Sequence, residues 1–261
     1  MAANTLMEYL QIGPFDIPIN PPARPGPNTT NDVYDYTDIA TVSDWQQFNL
    51  PTIMQRYGNL MAATTIHSEP FVNTPSTSLN VEESIRHEIT RQMMERTRYA
   101  LRAAFERLQV TNQMNGITRL DFGLGVMAVT PGNFTPDTSY YLPELPGGTS
   151  PNRAPGDVKP SWKWSNALRN GTPYQQQQFK QVLSQVSHYM EQHRARYGFV
   201  LTNDELVAIR RQNSSGDVEL SLPIPWATRG TVQQPRLTVL LGLWYIGMLA
   251  AQDQGPESWQ L

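Results

Sequence analysis

Residues 136–164 read PDTSYYLPELPGGTSPNRAPGDVKPSWKW, and this stretch decides the predicted fold. The dipeptide PD ends at Asp137, and the tripeptide DVK runs from Asp157 to Lys159 after a loop rich in proline and glycine. A hairpin of two short strands accounts for that separation, so we expect the two carboxylates to lie close together. Asp157 and Lys159 are two positions apart and share one face of a strand.

Two carboxylates and a lysine around one point suit the Mg²⁺-dependent hydrolysis of phosphodiesters. Hard oxygen ligands hold the cation, and the cation polarises the phosphate and acidifies a water molecule. An ammonium group can orient that water or neutralise the developing charge. The pattern therefore predicts a site for phosphoryl chemistry at the start of the second strand.

The longest predicted helix runs from Val81 to Val110. Asn80 can cap it, and Glu83 stands at the spacing of a capping box. Apolar residues recur at steps of three and four and form one stripe. Six arginines are interleaved with five glutamates on the rest of its surface. This mixture is typical of an ion-paired, solvated face, with a phosphate-binding ridge as the alternative.

Further elements follow from hydrophobic periodicity and from turn residues. Strands are predicted at 117–130, 136–142, 157–164, 197–202, 205–210 and 218–224, a second helix at 173–196, and an apolar helix at 237–251. The order predicts an α+β or α/β class built around one mixed sheet. Residues 1–80 are rich in proline and are expected to form an irregular arm packed on a domain of residues 81–261, apart from a short helix around Trp45–Tyr57.

The sequence resembles the PD-(D/E)XK nuclease superfamily, whose members have the restriction-endonuclease-like fold. Besides PD and DVK, the predicted helix carries Gln185 and Tyr189, which is similar to the QxxxY signature of exonuclease-type members. The resemblance covers residues 81–202 and implies an αβββαβ core with a mixed central sheet flanked by helices. The segments 155–164, 197–211 and 237–250 also look like uncharacterised fungal proteins that carry such a domain.

The resemblance implies a role for each matched residue. Mg²⁺ or Mn²⁺ would be held by Asp137, Asp157, the Val158 carbonyl and a third acid from the first helix, for which Glu88 is preferred and Glu95 is one step further. Lys159 would position or deprotonate the attacking water. Gln185, Tyr189 and Lys163 would bind the substrate. Arg153, Arg169, Trp162 and Trp164 could add a patch for single-stranded ends, although core positions are favoured for the two tryptophans.

Composition removes several other classes of function. The chain has no cysteine, which excludes disulfide scaffolds, thiolate metal sites and a cysteine nucleophile. Its four histidines do not follow a metal-binding spacing, and Walker A, G-x-S-x-G and G-x-G-x-x-G motifs are missing. A net charge of −3 disfavours general coating of nucleic acid but leaves room for a local basic groove.

Three functions remain open on the sequence alone. The first is a Mg²⁺- or Mn²⁺-dependent nuclease acting on DNA or RNA. The second is a nuclease-like fold that uses the same groups on a small molecule, as in a fungal biosynthetic reaction. The third is a non-catalytic protein that binds a partner. We expect a location in the cytosol or nucleus without a membrane span, because neither a secretory signal nor a 20-residue apolar run is visible.

Overall fold

The computed structural model describes residues 3–24, 26–67 and 78–261. Within these ranges there are five α-helices: α1 (Leu6–Leu10), α2 (Leu50–Ala63), α3 (Glu82–Val110), α4 (Pro173–Gln192) and α5 (Val239–Ala250). The same ranges contain ten strands: β1 (Ala3–Thr5), β2 (Thr41–Asp44), β3 (Thr65–His67), β4 (Asp121–Leu124), β5 (Thr138–Tyr141), β6 (Gly156–Lys159), β7 (Tyr197–Thr202), β8 (Glu205–Arg211), β9 (Asp217–Leu220) and β10 (Ile224–Pro225).

Eight of these strands form one mixed sheet, which confirms the predicted α+β class. The order is β2-β9-β8-β7-β6-β5-β4, and β10 pairs with β8. The pairs β6–β7 and β2–β9 are parallel, and the other pairs are antiparallel. The parallel pair β6–β7 requires a crossover, which α4 provides.

Side chains alternate between the two faces of the sheet and divide the core into two layers. Phe199 and Leu201 point into the layer that contains α3 and α5, whereas Val200 between them points to α4. The same alternation applies to β6. Val158 packs in the α3–α5 layer, so Asp157 and Lys159 project from the opposite face, which α4 covers. The fold thus directs both candidate residues toward α4.

Helix α5 is apolar on every side because it is buried all round. All of its residues are buried, and it packs between α3 and the strands β7, β8 and β10. The predicted apolar helix is thereby confirmed as a core element. Within the described residues, no helix combines the length and the apolar character that crossing a bilayer requires.

The N-terminal region is more regular than predicted. Strand β2 joins the main sheet, and β1 pairs with β3 in a small second sheet. Residues of α1 and α2, among them Leu6, Tyr9 and Ile53, belong to the same apolar core as α3 and α5. The prediction of an irregular arm is therefore wrong for α1, β1, β2 and β3. The short helix predicted around Trp45–Tyr57 is present as α2, and segments on both sides of residue 80 share one core. Part of the predicted arm, residues 68–77, lies outside the described residues.

Several predicted boundaries also need correction. Val81, not Asn80, is the N-cap residue of α3, and it makes no side-chain capping bond. The strand predicted over 117–130 is limited to β4, because the backbone turns away at Gly125. The strand predicted over 157–164 ends at Lys159, since the proline that follows has no N–H to continue the ladder. Helix α4 ends at Gln192.

Candidate functional site

The two candidate aspartates face each other at the point where β5 and β6 separate. The two strands pair only at Thr138 and Gly156, so the next residue on each strand, Asp137 and Asp157, lies one step beyond the ladder. There the Asp137 Oδ2 atom accepts a hydrogen bond of 2.8 Å from the Val158 main-chain N–H. A side chain thus replaces the main-chain partner that β5 no longer provides, which fixes Asp137 beside Asp157.

Two glycines allow the backbone to approach closely at this point. Gly125 donates its N–H to the Asp137 carbonyl at 3.1 Å, and a Cβ at this position would overlap the carbonyl oxygen of Pro136. A Cβ on Gly156 would overlap the ring of Phe199. Because any larger residue would push the strands apart, both glycines help to set the position of the aspartates.

Lys159 forms an ion pair with Asp157 in the interior of the site. Its Nζ lies 3.0 Å from Asp157 Oδ2, and the two side chains are 5% and 3% exposed. Burial alone would lower the pKa of Lys159, but the carboxylates of Asp157 and Asp137 outweigh it and raise the pKa above its ordinary value. Lys159 is therefore a fixed cation at neutral pH.

The pKa of Asp137 differs strongly from that of an ordinary aspartate. Burial, followed by the charge of Asp157, raises its pKa to about 7. The opposing influences are Arg86, whose Nε lies 3.3 Å from Asp137 Oδ1, the Val158 N–H and Lys159. Two adjacent carboxylates with one pKa near neutrality bind a proton readily, and a divalent cation would relieve the same repulsion.

The acid that α3 contributes is Glu82, not Glu88. Glu82 Oε2 lies 2.9 Å from Lys163 Nζ, and its charge raises the pKa of Lys159. Burial would raise the pKa of Glu82 itself, but Lys163, Lys159 and Arg86 outweigh it and lower the pKa. Glu82 and Lys163 thus form an ion pair at the margin of the cluster.

The structure places the predicted third acid elsewhere along α3. The Glu88 carboxylate accepts hydrogen bonds from Arg91 Nε and Gln92 Nε2, each at 2.9 Å, and Glu95 pairs with Arg98 at 2.9 Å. The sequence offers a weak signal for Glu82, its place in the first turn of a helix. The sequence does not show which turn of α3 approaches the two aspartates.

The pair Gln185 and Tyr189 on α4 also reaches this cluster. Gln185 Nε2 donates a hydrogen bond of 2.9 Å to the Tyr189 hydroxyl, and both side chains are buried. Burial, followed by the charge of Asp157, raises the pKa of Tyr189 above its ordinary value. The predicted i, i+4 pair therefore lies on the face of α4 that points to the acids.

Tyr34 is a site residue that the sequence did not reveal. It belongs to the segment before β2, is 4% exposed, and its ring centroid lies 5.6 Å from that of His188 and 6.2 Å from that of Phe134. Burial, followed by the charge of Asp157, raises its pKa. Tyr34 therefore lies near the cluster, between helix α4 and the segment that precedes Asp137.

The expected patch for single-stranded ends does not form around the cluster. Arg153 pairs with Asp253 at 2.8 Å, and Arg169 pairs with Asp44 at 2.7 Å. Trp164 is completely buried, where its ring stacks on Phe179. Trp162 is half-buried and packs against the core layer that contains α3 and α5. The core position that was favoured for the tryptophans is confirmed for Trp164.

The acids present fit one particular mode of cation binding. In the described part of the chain, histidines and acids do not form a group of three or more suited to enclosing a metal ion. Mg²⁺, however, is commonly held by one or two carboxylates and completes its shell with water and substrate phosphate. Asp137 and Asp157 side by side, with the Val158 carbonyl next to them, are compatible with that mode.

Comparison of the chain with protein-family models, curated proteins and solved structures found no match.

Proposed function

We propose that this chain is a metal-dependent phosphodiesterase of the PD-(D/E)XK nuclease type that acts on DNA or RNA. The observation that carries the proposal is the convergence of Asp137, Asp157 and Lys159 where β5 and β6 separate. An aspartate pair with a buried, permanently charged lysine is costly for stability, which favours a functional over a structural origin.

The arrangement of elements supports the same family. Helix α3, strands β4, β5 and β6, helix α4 and strand β7 follow one another in the order αβββαβ. The PD motif directly precedes β5, the DVK motif lies within β6, and the QxxxY motif lies on α4, which agrees with the resemblance. The restriction-endonuclease-like core is therefore part of the proposal.

Each residue of the cluster has a definite task in this proposal. Asp137, Asp157 and the Val158 carbonyl would hold Mg²⁺ or Mn²⁺, which when bound would polarise the phosphate and acidify a water molecule. Lys159, oriented by its ion pair with Asp157, would place its ammonium on that water or on the phosphate charge. Glu82, not Glu88, would be the acid of α3 at the margin of the site, where it holds Lys163.

Substrate binding would involve the margin of the cluster. Lys163, held by Glu82, would contact a phosphate, and the Gln185–Tyr189 pair would contact a phosphate or a base. The proposal also includes the expected location in the cytosol or nucleus, where a nucleic-acid substrate is present.

One observation favours a second candidate function, a reaction on a small phosphate ester or another small molecule. Asp157 and Lys159 are only 3% and 5% exposed, and the buried Tyr34 lies near them. Side chains buried to this degree offer no open surface to a nucleic-acid strand while Tyr34 stays in place. Small-molecule turnover without cleavage of any oligonucleotide would favour this candidate.

The nuclease proposal is tested by cleavage of a fluorescent single-stranded oligonucleotide and of its duplex, with Mg²⁺ or with EDTA. We expect Mg²⁺-dependent cleavage that is lost in Asp137→Asn and strongly reduced in Glu82→Gln. Glu88→Gln is the matched control on the same helix, and its activity should equal that of the wild type. Equal activity in Asp137→Asn and wild type would overturn the role assignments, and no cleavage by any of the proteins would overturn the nuclease function.

A further inference from the structure

A short loop over residues 29–36, here called the Tyr34 loop, is closed at its base by one side chain of α4. Gln181 Nε2 donates a hydrogen bond of 3.1 Å to the Thr29 carbonyl, and Gln181 Oε1 accepts one of 3.1 Å from the Tyr36 N–H. Gln181 is itself 2% exposed. A single amide thus joins the two ends of the loop and ties both to α4.

The chain on either side of the Tyr34 loop is also attached to α4. Asn28 donates its N–H to Gln178 Oε1 at 2.9 Å, and Ser184 Oγ donates to Asp38 Oδ2 at 3.0 Å. Gln178, Gln181 and Ser184 are three residues apart and lie along one side of the helix. These hydrogen bonds join residues distant in sequence, and each can exchange for bonds to water at small net cost when the loop leaves α4.

Tyr34, near the end of the loop, is its deepest residue. Its ring is wedged between Phe134, which lies just before Asp137, and His188, which lies next to Tyr189. Its neighbours in the loop, Asp32 and Val33, are exposed. The loop therefore inserts one aromatic side chain between helix α4 and the segment that precedes Asp137, and leaves Asp32 and Val33 in solvent.

We propose that the Tyr34 loop is an autoinhibitory plug, and that a nucleic-acid strand reaches Asp157 and Lys159 only after Tyr34 has withdrawn and Gln181 has released the base of the loop. The inference rests on the proposed nuclease function. It accounts for an active-site lysine that is almost completely buried in a protein whose substrate is a polymer.

The first test compares cleavage of a short fluorescent single-stranded oligonucleotide in the presence of Mg²⁺. We expect Tyr34→Ala, which removes the buried ring, and Gln181→Leu, which removes the two hydrogen bonds at the base of the loop, to cleave about five- to tenfold faster than the wild type. Gln177→Leu, an exposed glutamine on the same helix, should cleave at the wild-type rate. Unchanged or slower cleavage in both loop variants, with an intact fold by circular dichroism, would overturn the plug.

The second test measures closure without relying on activity. An amine reagent can report whether Lys159 is accessible while Tyr34 is in place, because Lys159 is only 5% exposed. We expect Gln181→Leu to raise the rate of Lys159 modification, followed by mass spectrometry, about five- to tenfold over the wild type. In Gln177→Leu, Lys159 should be modified at the wild-type rate.

Equal rates of Lys159 modification in the wild type and in Gln181→Leu would overturn the closed loop. The two tests separate the two hypotheses. If no variant cleaves the oligonucleotide, the proposed nuclease function fails, whereas the rates of Lys159 modification alone decide whether the Tyr34 loop closes the site.

Discussion

The Asp137 carboxylate accepts the Val158 main-chain N–H at 2.8 Å, across the gap where two neighbouring strands separate. This bond connects the PD motif to the DVK motif. It holds Asp137 beside Asp157, although like charges on facing strand positions destabilise a sheet. This repulsion lowers the free energy of unfolding of the wild type, and the loss can be measured.

The Asp137→Asn variant should be more stable than the wild type at high pH. The pKa of Asp137 is raised from 3.8 to about 7 in the folded protein. The folded state therefore binds the proton more tightly than the unfolded state, and the free energy of unfolding falls as the pH rises from about 4 to about 7. Asparagine keeps an acceptor for the Val158 N–H but has no charge.

We expect Asp137→Asn to exceed the wild type by about 1–3 kcal/mol at pH 8 and to match it near pH 4. Urea unfolding followed by circular dichroism at the two pH values measures the difference. If the difference in free energy of unfolding between Asp137→Asn and the wild type is the same at pH 4 and pH 8, Asp137 has an ordinary pKa.

The buried ion pair predicts strong coupling between Asp157 and Lys159. Lys159→Met leaves a buried carboxylate without its partner and should cost about 3–5 kcal/mol. Adding Asp157→Asn removes that charge, so the double variant should recover part of the lost stability. A double-mutant cycle of urea unfolding gives the coupling energy. Additive effects would mean that the two groups do not form a pair in solution.

The glycines behind the aspartates predict a third effect. Gly156→Ala places a Cβ on the ring of Phe199 and should destabilise the fold by about 1–3 kcal/mol or more. Gly125→Ala displaces the backbone at Pro136 and should reduce activity together with stability. A methyl group added at Gly147 would have no heavy atom within 4 Å, so Gly147→Ala is the matched control. Equal melting temperatures for Gly156→Ala and Gly147→Ala would contradict the close packing.

The sequence predicted the elements whose signal is local. The periodicity of α3, α4 and α5 and the apolar strands β7 and β8 placed most of the sheet and its flanking helices. The spacing between Asp137 and Asp157 identified a hairpin, since a short excursion between two strands leaves few alternatives. Gln185 and Tyr189 were singled out by the resemblance to the QxxxY signature, and helical geometry predicted that they share one face of α4.

The predictions that failed depend on contacts distant in sequence. Glu88 and Glu82 both lie on α3, and only the packing of that helix shows that the first turn approaches the site. Strand β2 pairs with β9, which lies about two-thirds of the chain length further along the sequence. Tyr34 stands in an irregular segment, where a lone aromatic residue carries no period that could identify its position.

The central claim, that Asp137 and Asp157 share one divalent cation, is tested most directly by calorimetric titration of the protein with Mn²⁺ at pH 8, where Asp137 is ionised. We expect saturable binding of a single ion by the wild type and by Glu88→Gln, and loss of that binding in Asp137→Asn. Binding that is undiminished in Asp137→Asn, or no binding by the wild type, would contradict it.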